Sequence, residues 1–310
     1  MNEKIKLLKD NISISIVGKD DVIIKIIASM LCGGHVLIED VPGVGKTQLI
    51  SSLSKSLGGK FNRIQMTPDI MPSDIVGFTM INQHTGETEY RPGVALCNFL
   101  LADEINRASP KAQSSLLEIM EEGQISLDGE THKLPSPFMV MATQNPVETY
   151  GTYHLPEAQM DRFFMKVSMG YPSAEEELKI IERTEFGNPS DSIKRAVISL
   201  DDILELQEEM KKVKVSPAVK RYITDIVRAT RDTDVAVLGV SPRGSITLYK
   251  ASKAVAFIDG RDFVTPDDVK FIAESVLSHR IILNVKGKTK YKNSSGFVNR
   301  ILSTAAVPTT

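Results

Sequence analysis

Asp40-Val41-Pro42-Gly43-Val44-Gly45-Lys46-Thr47 is the stretch on which the fold turns. It follows a short apolar run, Val36-Leu37-Ile38, and opens a segment suited to a helix that reaches about Leu57, where Gly58-Gly59 stops it. A glycine-rich turn between strand and helix, closing on Gly-Lys-Thr, is the setting in which a Walker A pattern carries weight. Gly43 and Gly45 let the backbone curl so that successive N–H groups point at phosphate oxygens, and the helix start adds its positive end. Lys46 is expected to neutralise β- and γ-phosphate charge, and the Thr47 hydroxyl to ligate Mg²⁺. Val44 and Gln48 complete the expected nucleotide contacts of this loop. The pattern ordinarily begins with glycine, and Asp40 stands in that place. A turn that binds nothing is the plainer alternative, which Gly-x-Gly-Lys-Thr in this setting makes the weaker one.

Working outward, apolar runs recur at Arg63-Ile64-Gln65, Phe99-Leu100-Leu101-Ala102, Phe138-Met139-Val140-Met141 and Phe163-Phe164-Met165-Lys166-Val167. They alternate with helical patterns, as in an α/β protein built on a parallel five-stranded sheet. The run from Phe99 ends in Asp103-Glu104. There Asp103 is expected near Mg²⁺, through water, while Glu104 orients and deprotonates the attacking water. An Asp-Glu pair after an apolar run is commonplace as a solvated strand end; downstream of a Walker A loop it becomes specific. Two hairpins are expected within this half. One spans Thr79 to Tyr90 with Gly86 at its turn, and the other follows Ile125-Ser126-Leu127 around Asp128-Gly129, a favoured turn pair.

Beyond Tyr171-Pro172 helix signals take over. Ser173 with Glu176 forms a capping box, and Ser216-Pro217, Ser241-Pro242 and Thr265-Pro266 each set a capping hydroxyl before a first-turn proline. Val219, Tyr222, Ile223, Ile226 and Val227 share one helix face, as do Val269, Ile272, Ala273, Val276 and Leu277. These stripes read as bundle core. The expected division is an α/β core over residues 1–171 and a small all-helical domain over 172–310, with the polar, basic stretch from Lys286 to Ser295 as a loop.

Bulk properties bound the function. The 310 residues favour about two domains, and 42% hydrophobic with 25% charged residues fits a soluble globular chain. A formal net charge of -2 lacks the positive field that non-specific nucleic-acid binding requires. No run approaches the roughly 20 apolar residues of a membrane span. Cys32 and Cys97 lie in apolar stretches without metal-ligand spacing, as small core residues in a reducing compartment. A cytoplasmic location is the expectation.

Glu39 through Thr47, Ala102-Asp103-Glu104-Ile105-Asn106-Arg107, Ala142-Thr143-Gln144-Asn145-Pro146, Leu155 through Phe163 and Ser241-Pro242-Arg243 together resemble the MoxR family of AAA+ ATPases, nearly end to end. The resemblance implies an AAA+ core with a helical lid, ATP and Mg²⁺ as cofactors, and tolerance of Asp40. It further implies that Asn145 is the sensor-1 residue positioning the hydrolytic water, where the plainer use is an Asn-Pro turn. Arg162 matches the arginine finger that reaches a neighbouring subunit's nucleotide; a surface ion pair with Glu157 or Asp161 is the bland alternative. Arg243 matches sensor 2, acting in its own subunit or the neighbour's, or stands as solvated surface. Val17-Gly18 resembles the adenine-contacting stretch, and the two hairpins resemble the helix-2 insert and the pre-sensor-1 hairpin.

The favoured expectation is an ATP-driven remodelling machine or chaperone in a hexameric ring, acting on a protein client such as a von Willebrand factor A-domain protein. A nucleic-acid motor or loader, a metal-chelatase motor subunit and a nucleotide-gated scaffold are the alternatives. The charge balance counts against the first, the lack of any porphyrin contact against the second, and the intact Asp103, Glu104 and Asn145 against the third.

Overall fold

The five apolar runs assemble into one sheet in the computed structural model, which describes residues 1–41, 43–84, 86–145, 152–184 and 192–308. Pro42 and Pro146 of the sequence motifs lie outside the described residues. Strands β1 (Val36–Glu39), β2 (Phe61–Gln65), β5 (Phe99–Asp103), β8 (Met139–Gln144) and β9 (Met165–Val167) run parallel in the order β2-β5-β8-β1-β9. Pleating sends alternate residues to opposite faces. Phe99 and Leu101 of β5, with Met139 and Met141 of β8, enter one core, whereas Leu100, Ala102, Val140 and Ala142 enter the other. Helices α1 (Glu3–Ser13), α2 (Asp20–Leu31) and α3 (Lys46–Leu57) cover the first face; α4 (Pro72–Val76) and α5 (Pro110–Glu122) cover the second.

Both expected hairpins form. Strand β3 (Gly77–Ile81) pairs with β4 (Thr88–Pro92), and β6 (Gln124–Leu127) pairs with β7 (Glu130–Lys133). Asp128 and Gly129 both take positive φ, 49° and 84°, which a two-residue turn between twisted antiparallel strands requires. The hairpins are joined by a ring stack: Tyr90 lies 3.9 Å from His132, centroid to centroid, at an interplanar angle of 11°.

The second half contributes α6 (Glu157–Met160), α7 (Ala174–Thr184), α8 (Leu200–Met210), α9 (Pro217–Ala229), α10 (Pro242–Ile258) and α11 (Pro266–Leu277). Both predicted apolar stripes are buried, on α9 and α11, at about 1.5–3 kcal/mol for each large side chain removed from water. That makes them core. Their cluster continues into α2 and the sheet, and Lys4 of α1 ties to Asp202 of α8 at 2.5 Å.

Three local readings differ from the sequence expectation. The stretch from Lys286 to Ser295 is largely helical: α12 (Val285–Tyr291) and α13 (Ser294–Thr304) are capped by Asn284 and Asn293, whose side chains accept from Gly287 and Gly296 N–H groups. Asn caps outweighed the basic run, and Asp234 pairs with Lys286. A short ribbon of β10 (Ala236–Leu238) and β11 (Ile282–Leu283) lies among the helices. The Ser241 hydroxyl, expected to cap α10, instead meets the Asp161 carboxylate at 3.3 Å.

Candidate nucleotide site

The carboxyl ends of parallel strands share one edge of the sheet, and loops leaving them form a crevice there. The end of β1 supplies the glycine-rich loop, the end of β5 supplies Asp103 and Glu104, and the end of β8 supplies Asn145. Gly43, Gly45, Lys46, Thr47 and Gln48 line a cleft of about 430 Å³. Asp103, Glu104 and Asn145 line the same cleft, joined by Arg63 and Gln65 of β2.

Gly43 and Gly45 have φ of 87° and 91°, in the left-handed region, so backbone conformation rather than crowding demands glycine here. Lys46 donates from Nζ to the Asp40 carbonyl at 3.0 Å, which folds the side chain over its own loop. Asp40 is buried, and its carboxylate accepts the backbone N–H groups of Met169 and Gly170 just past β9. This residue thus stitches the phosphate loop to the neighbouring strand, a tie that glycine could not make.

The acidic strand end is held by groups that sequence reasoning passed over. Thr143 donates its hydroxyl to Asp103 Oδ1 at 2.6 Å and accepts the Glu104 N–H at 2.9 Å. Glu104 takes φ 55°, uncommon for a residue with a side chain, and the Thr143 bond helps to fix it. Gln65 and Arg107 both donate to Glu104 Oε2, at 2.6 and 2.9 Å. Arg63 donates to Asp103 Oδ2 at 2.7 Å. A signal for Arg63 and Gln65 existed in the sequence: they alternate around Ile64 in a strand, so both must share a face.

Comparison with known proteins identifies the family and the fold. Residues 35–165 match the profile described as the ATPase family associated with various cellular activities (AAA), and residues 228–296 match the AAA lid domain. The chain is 49% identical to the uncharacterized protein YeaC of Bacillus subtilis, over 96% of this chain and 93% of that protein. It is 42% identical to Chaperone MoxR1 of Mycobacterium tuberculosis, over 94% of this chain and 79% of that one. The chain belongs to the MoxR family of AAA+ ATPases. A crystal structure of a candidate ATPase from Cytophaga hutchinsonii superposes with TM-score 0.90 at 39% identity, covering 99% of this chain and 95% of that one. The AAA+ fold with a helical lid expected from the sequence is therefore established, and membership brings with it a family of nucleotide-binding ATPases.

In this MoxR-family chain the two outlying arginines stand apart from the candidate cleft. Arg162 pairs with Glu121 of α5 at 2.9 Å and donates to the Leu117 carbonyl, also at 2.9 Å. Its acid is thus Glu121, neither Glu157 nor Asp161, because Asp161 is taken by Arg280. Arg243 approaches the other oxygen of the same Glu121 at 3.6 Å. Neither arginine lines the cleft, and neither do Val17 and Gly18; Gly18 abuts the Glu176 side chain at the start of α7.

Arg280 was invisible from sequence. Its side chain is 3% exposed, pairs with Asp161 at 2.6 Å and donates to the Phe163 carbonyl at 2.7 Å. Burial pulls its pKa down, and the Asp161 carboxylate opposes that pull. Asp161, the sequence neighbour of Arg162, in this way accepts from both the buried guanidinium and the Ser241 hydroxyl just before α10. His35 bridges elsewhere: Nε2 meets the Met120 carbonyl at 2.8 Å while Nδ1 accepts the Val140 N–H. The ring is therefore neutral, and burial lowers its pKa to about 4. Among the described residues no helix is long and apolar enough to cross a membrane.

Proposed function

We propose that this chain hydrolyses ATP with Mg²⁺ and uses the turnover to remodel or activate a protein partner. The supporting observation is the one cleft that Lys46, Thr47, Asp103, Glu104 and Asn145 share. Its donors suit the metal, since Mg²⁺ takes one or two hard protein oxygens and fills the rest of its shell with phosphate and water. The Thr47 hydroxyl and the Asp103 carboxylate are such oxygens, and no cluster of three or more metal-binding side chains occurs among the described residues. Gln48 Nε2, buried without a partner among the described residues, is a donor suited to the nucleotide. Held by Thr47 and Asp103, the metal would supply neutralisation of phosphate charge.

Lys46 leaves the Asp40 carbonyl for phosphate oxygens. Glu104, with Oε2 already holding Gln65 and Arg107, uses Oε1 to orient a water and take its proton, and Asn145 fixes that water with its amide. Water adds to the γ-phosphorus as the bond to ADP breaks, giving ADP and phosphate. Arg162 and Arg243, gathered on Glu121 outside the cleft, are positioned by this reading to serve a neighbouring subunit in a hexameric ring; a finger of that kind is worth about 10³ to 10⁵ in turnover. We divide the chain near residue 171 into core and lid, with Val17 and Gly18 beside the adenine. The client is taken to be a protein, with a von Willebrand factor A domain as the first candidate. A cytoplasmic setting suits Cys32 and Cys97, which are both free thiols.

Glu104→Gln tests the reading. The variant is expected to bind ATP, to lose turnover, and in affinity capture to hold the assembled ring with its partner. Turnover equal to the parent's would discard Glu104 as the base. Activity per subunit that survives both dilution and Arg162→Ala would discard the shared site.

A further inference from the structure

Arg63 has no part in the scheme above, yet it occupies the most sensitive position in the cleft. It rises from β2, the edge strand, and places both Nη2 and Nε on Asp103 Oδ2, at 2.7 and 3.2 Å. The other carboxylate oxygen, Oδ1, is held by the Thr143 hydroxyl. Both oxygens that a metal-bound water would use are therefore engaged, one of them by a full positive charge. The Arg63 side chain is nevertheless 49% exposed, and beyond Asp103 it makes a long bond, Nη2 to Gln65 Oε1 at 3.4 Å.

It also has somewhere to go. Arg63 lines a second, open depression of about 490 Å³ with Ser73, Asp74, Phe78 and Pro92, at the foot of the β3–β4 hairpin. One side chain is thus the shared wall between the nucleotide cleft and the base of that hairpin. Asp74, whose Oδ2 accepts the Met71 N–H at 2.8 Å, lines the far side of the wall, as does the half-exposed Phe78.

We propose that Arg63 is a resident counter-cation for Asp103, which gives up that carboxylate when a divalent metal enters with nucleotide and turns into the depression beside Asp74 and Phe78. A guanidinium and a divalent ion repel one another across a single carboxylate, and the divalent ion with triphosphate is the stronger partner for it. Before nucleotide arrives, the pairing keeps a negative site from collecting metal on its own. Afterwards, the displaced side chain reports metal occupancy to the hairpin. The assignment rests on the Mg²⁺–ATP reading above and adds to it the order of events.

The test uses the full chain and Mn²⁺ as the probe, followed by electron paramagnetic resonance without nucleotide. Arg63→Gln is expected to bind Mn²⁺ about tenfold or more tightly than the parent, after allowance for solvent screening of a half-exposed pair. Arg63→Lys should return toward the parent, and Asp103→Asn added to Arg63→Gln should abolish the gain. Unchanged or weaker Mn²⁺ binding by Arg63→Gln overturns the assignment.

The second arm exploits the absence of tryptophan from the chain. A Phe78→Trp reporter should change its fluorescence when Mg²⁺ is added to ATP-bound protein, and Arg63→Gln should erase that step. The same response in both backgrounds overturns the coupling to the hairpin. Fluorescent-ATP binding in EDTA and in Mg²⁺ separates the two levels: no binding by the parent defeats the functional reading itself, whereas normal binding with unmoved Mn²⁺ affinity defeats only the role of Arg63.

Discussion

Replacing Arg280 by methionine removes the guanidinium that joins the turn after α11 to the segment entering β9 and keeps a similar apolar stem. The parent side chain is 3% exposed and its partner Asp161 is 24% exposed, so the change leaves one carboxylate without its counter-charge and the Phe163 carbonyl with only His279 Nε2, 3.3 Å away. Breaking a buried pair in this way costs about 3–5 kcal/mol. Asp161 retains some water and the Ser241 hydroxyl at 3.3 Å, which brings the expected loss to the lower end, about 3 kcal/mol. Against a total stability of about 5–15 kcal/mol that is a large fraction. Urea denaturation measures it, followed by two probes so that separate melting of the two halves is detected. The pairing is isolated by a cycle: Asp161→Asn alone, Arg280→Met alone, and both together. The double variant should lose at least about 1 kcal/mol less than the sum, because neither then leaves an uncompensated charge. A loss below about 1 kcal/mol in Arg280→Met, or strict additivity, refutes the idea that this pair anchors the lid. The same variant should lower ATP turnover, since Asp161, next to Arg162 and bonded to Ser241, loses its anchor.

Three further outcomes are expected. Asp40→Ala leaves the Met169 and Gly170 N–H groups without their acceptor and should cost about 2–3 kcal/mol in chemical denaturation, with Asp40→Asn milder. His35 is neutral when folded, with a pKa near 4 against 6.5 unfolded; its contribution is complete above pH 6.5 and falls as pH drops toward 4, by up to about 1.4 kcal/mol per pH unit. His279, also lowered by burial, steepens the slope, and His35→Gln should flatten it by about one proton in pH-dependent denaturation. Tyr90→Ala removes the stack on His132 and the bond to the Val76 carbonyl at 2.6 Å, so amide hydrogen exchange should quicken in both hairpins together; a change confined to β3–β4 would refute their coupling.

Much of the architecture is legible in the residues themselves because it is written in local rules. Alternation of apolar runs with helical stripes specified the parallel sheet, Asp128-Gly129 specified its turn, and the stripes on α9 and α11 specified the bundle core. The misread positions are those where a local signal met a distant partner. Ser241 has the sequence of a cap, yet Asp161, eighty residues earlier in the chain, claims its hydroxyl. The basic run after Lys286 suggested a loop, and two Asn caps with Asp234 made it helical.

The sequence by itself determined which chemistry is available: a Gly-x-Gly-Lys-Thr turn and an Asp-Glu strand end, each diagnostic because backbone conformation and charge there tolerate few substitutes. Only the tertiary structure decided how those groups are held. Arg63 on Asp103, Gln65 and Arg107 on Glu104, Thr143 between the two acids, Asp40 on β9 and Arg280 on Asp161 are contacts between segments far apart in the chain, apart from the Arg107 pair. No periodicity encodes such pairings. Those around Asp103, Glu104 and Asp40 exist because parallel strands bring their carboxyl ends to one edge, where charges that the chain keeps apart must find one another, whereas Asp161 meets Arg280 at the opposite, amino end of β9.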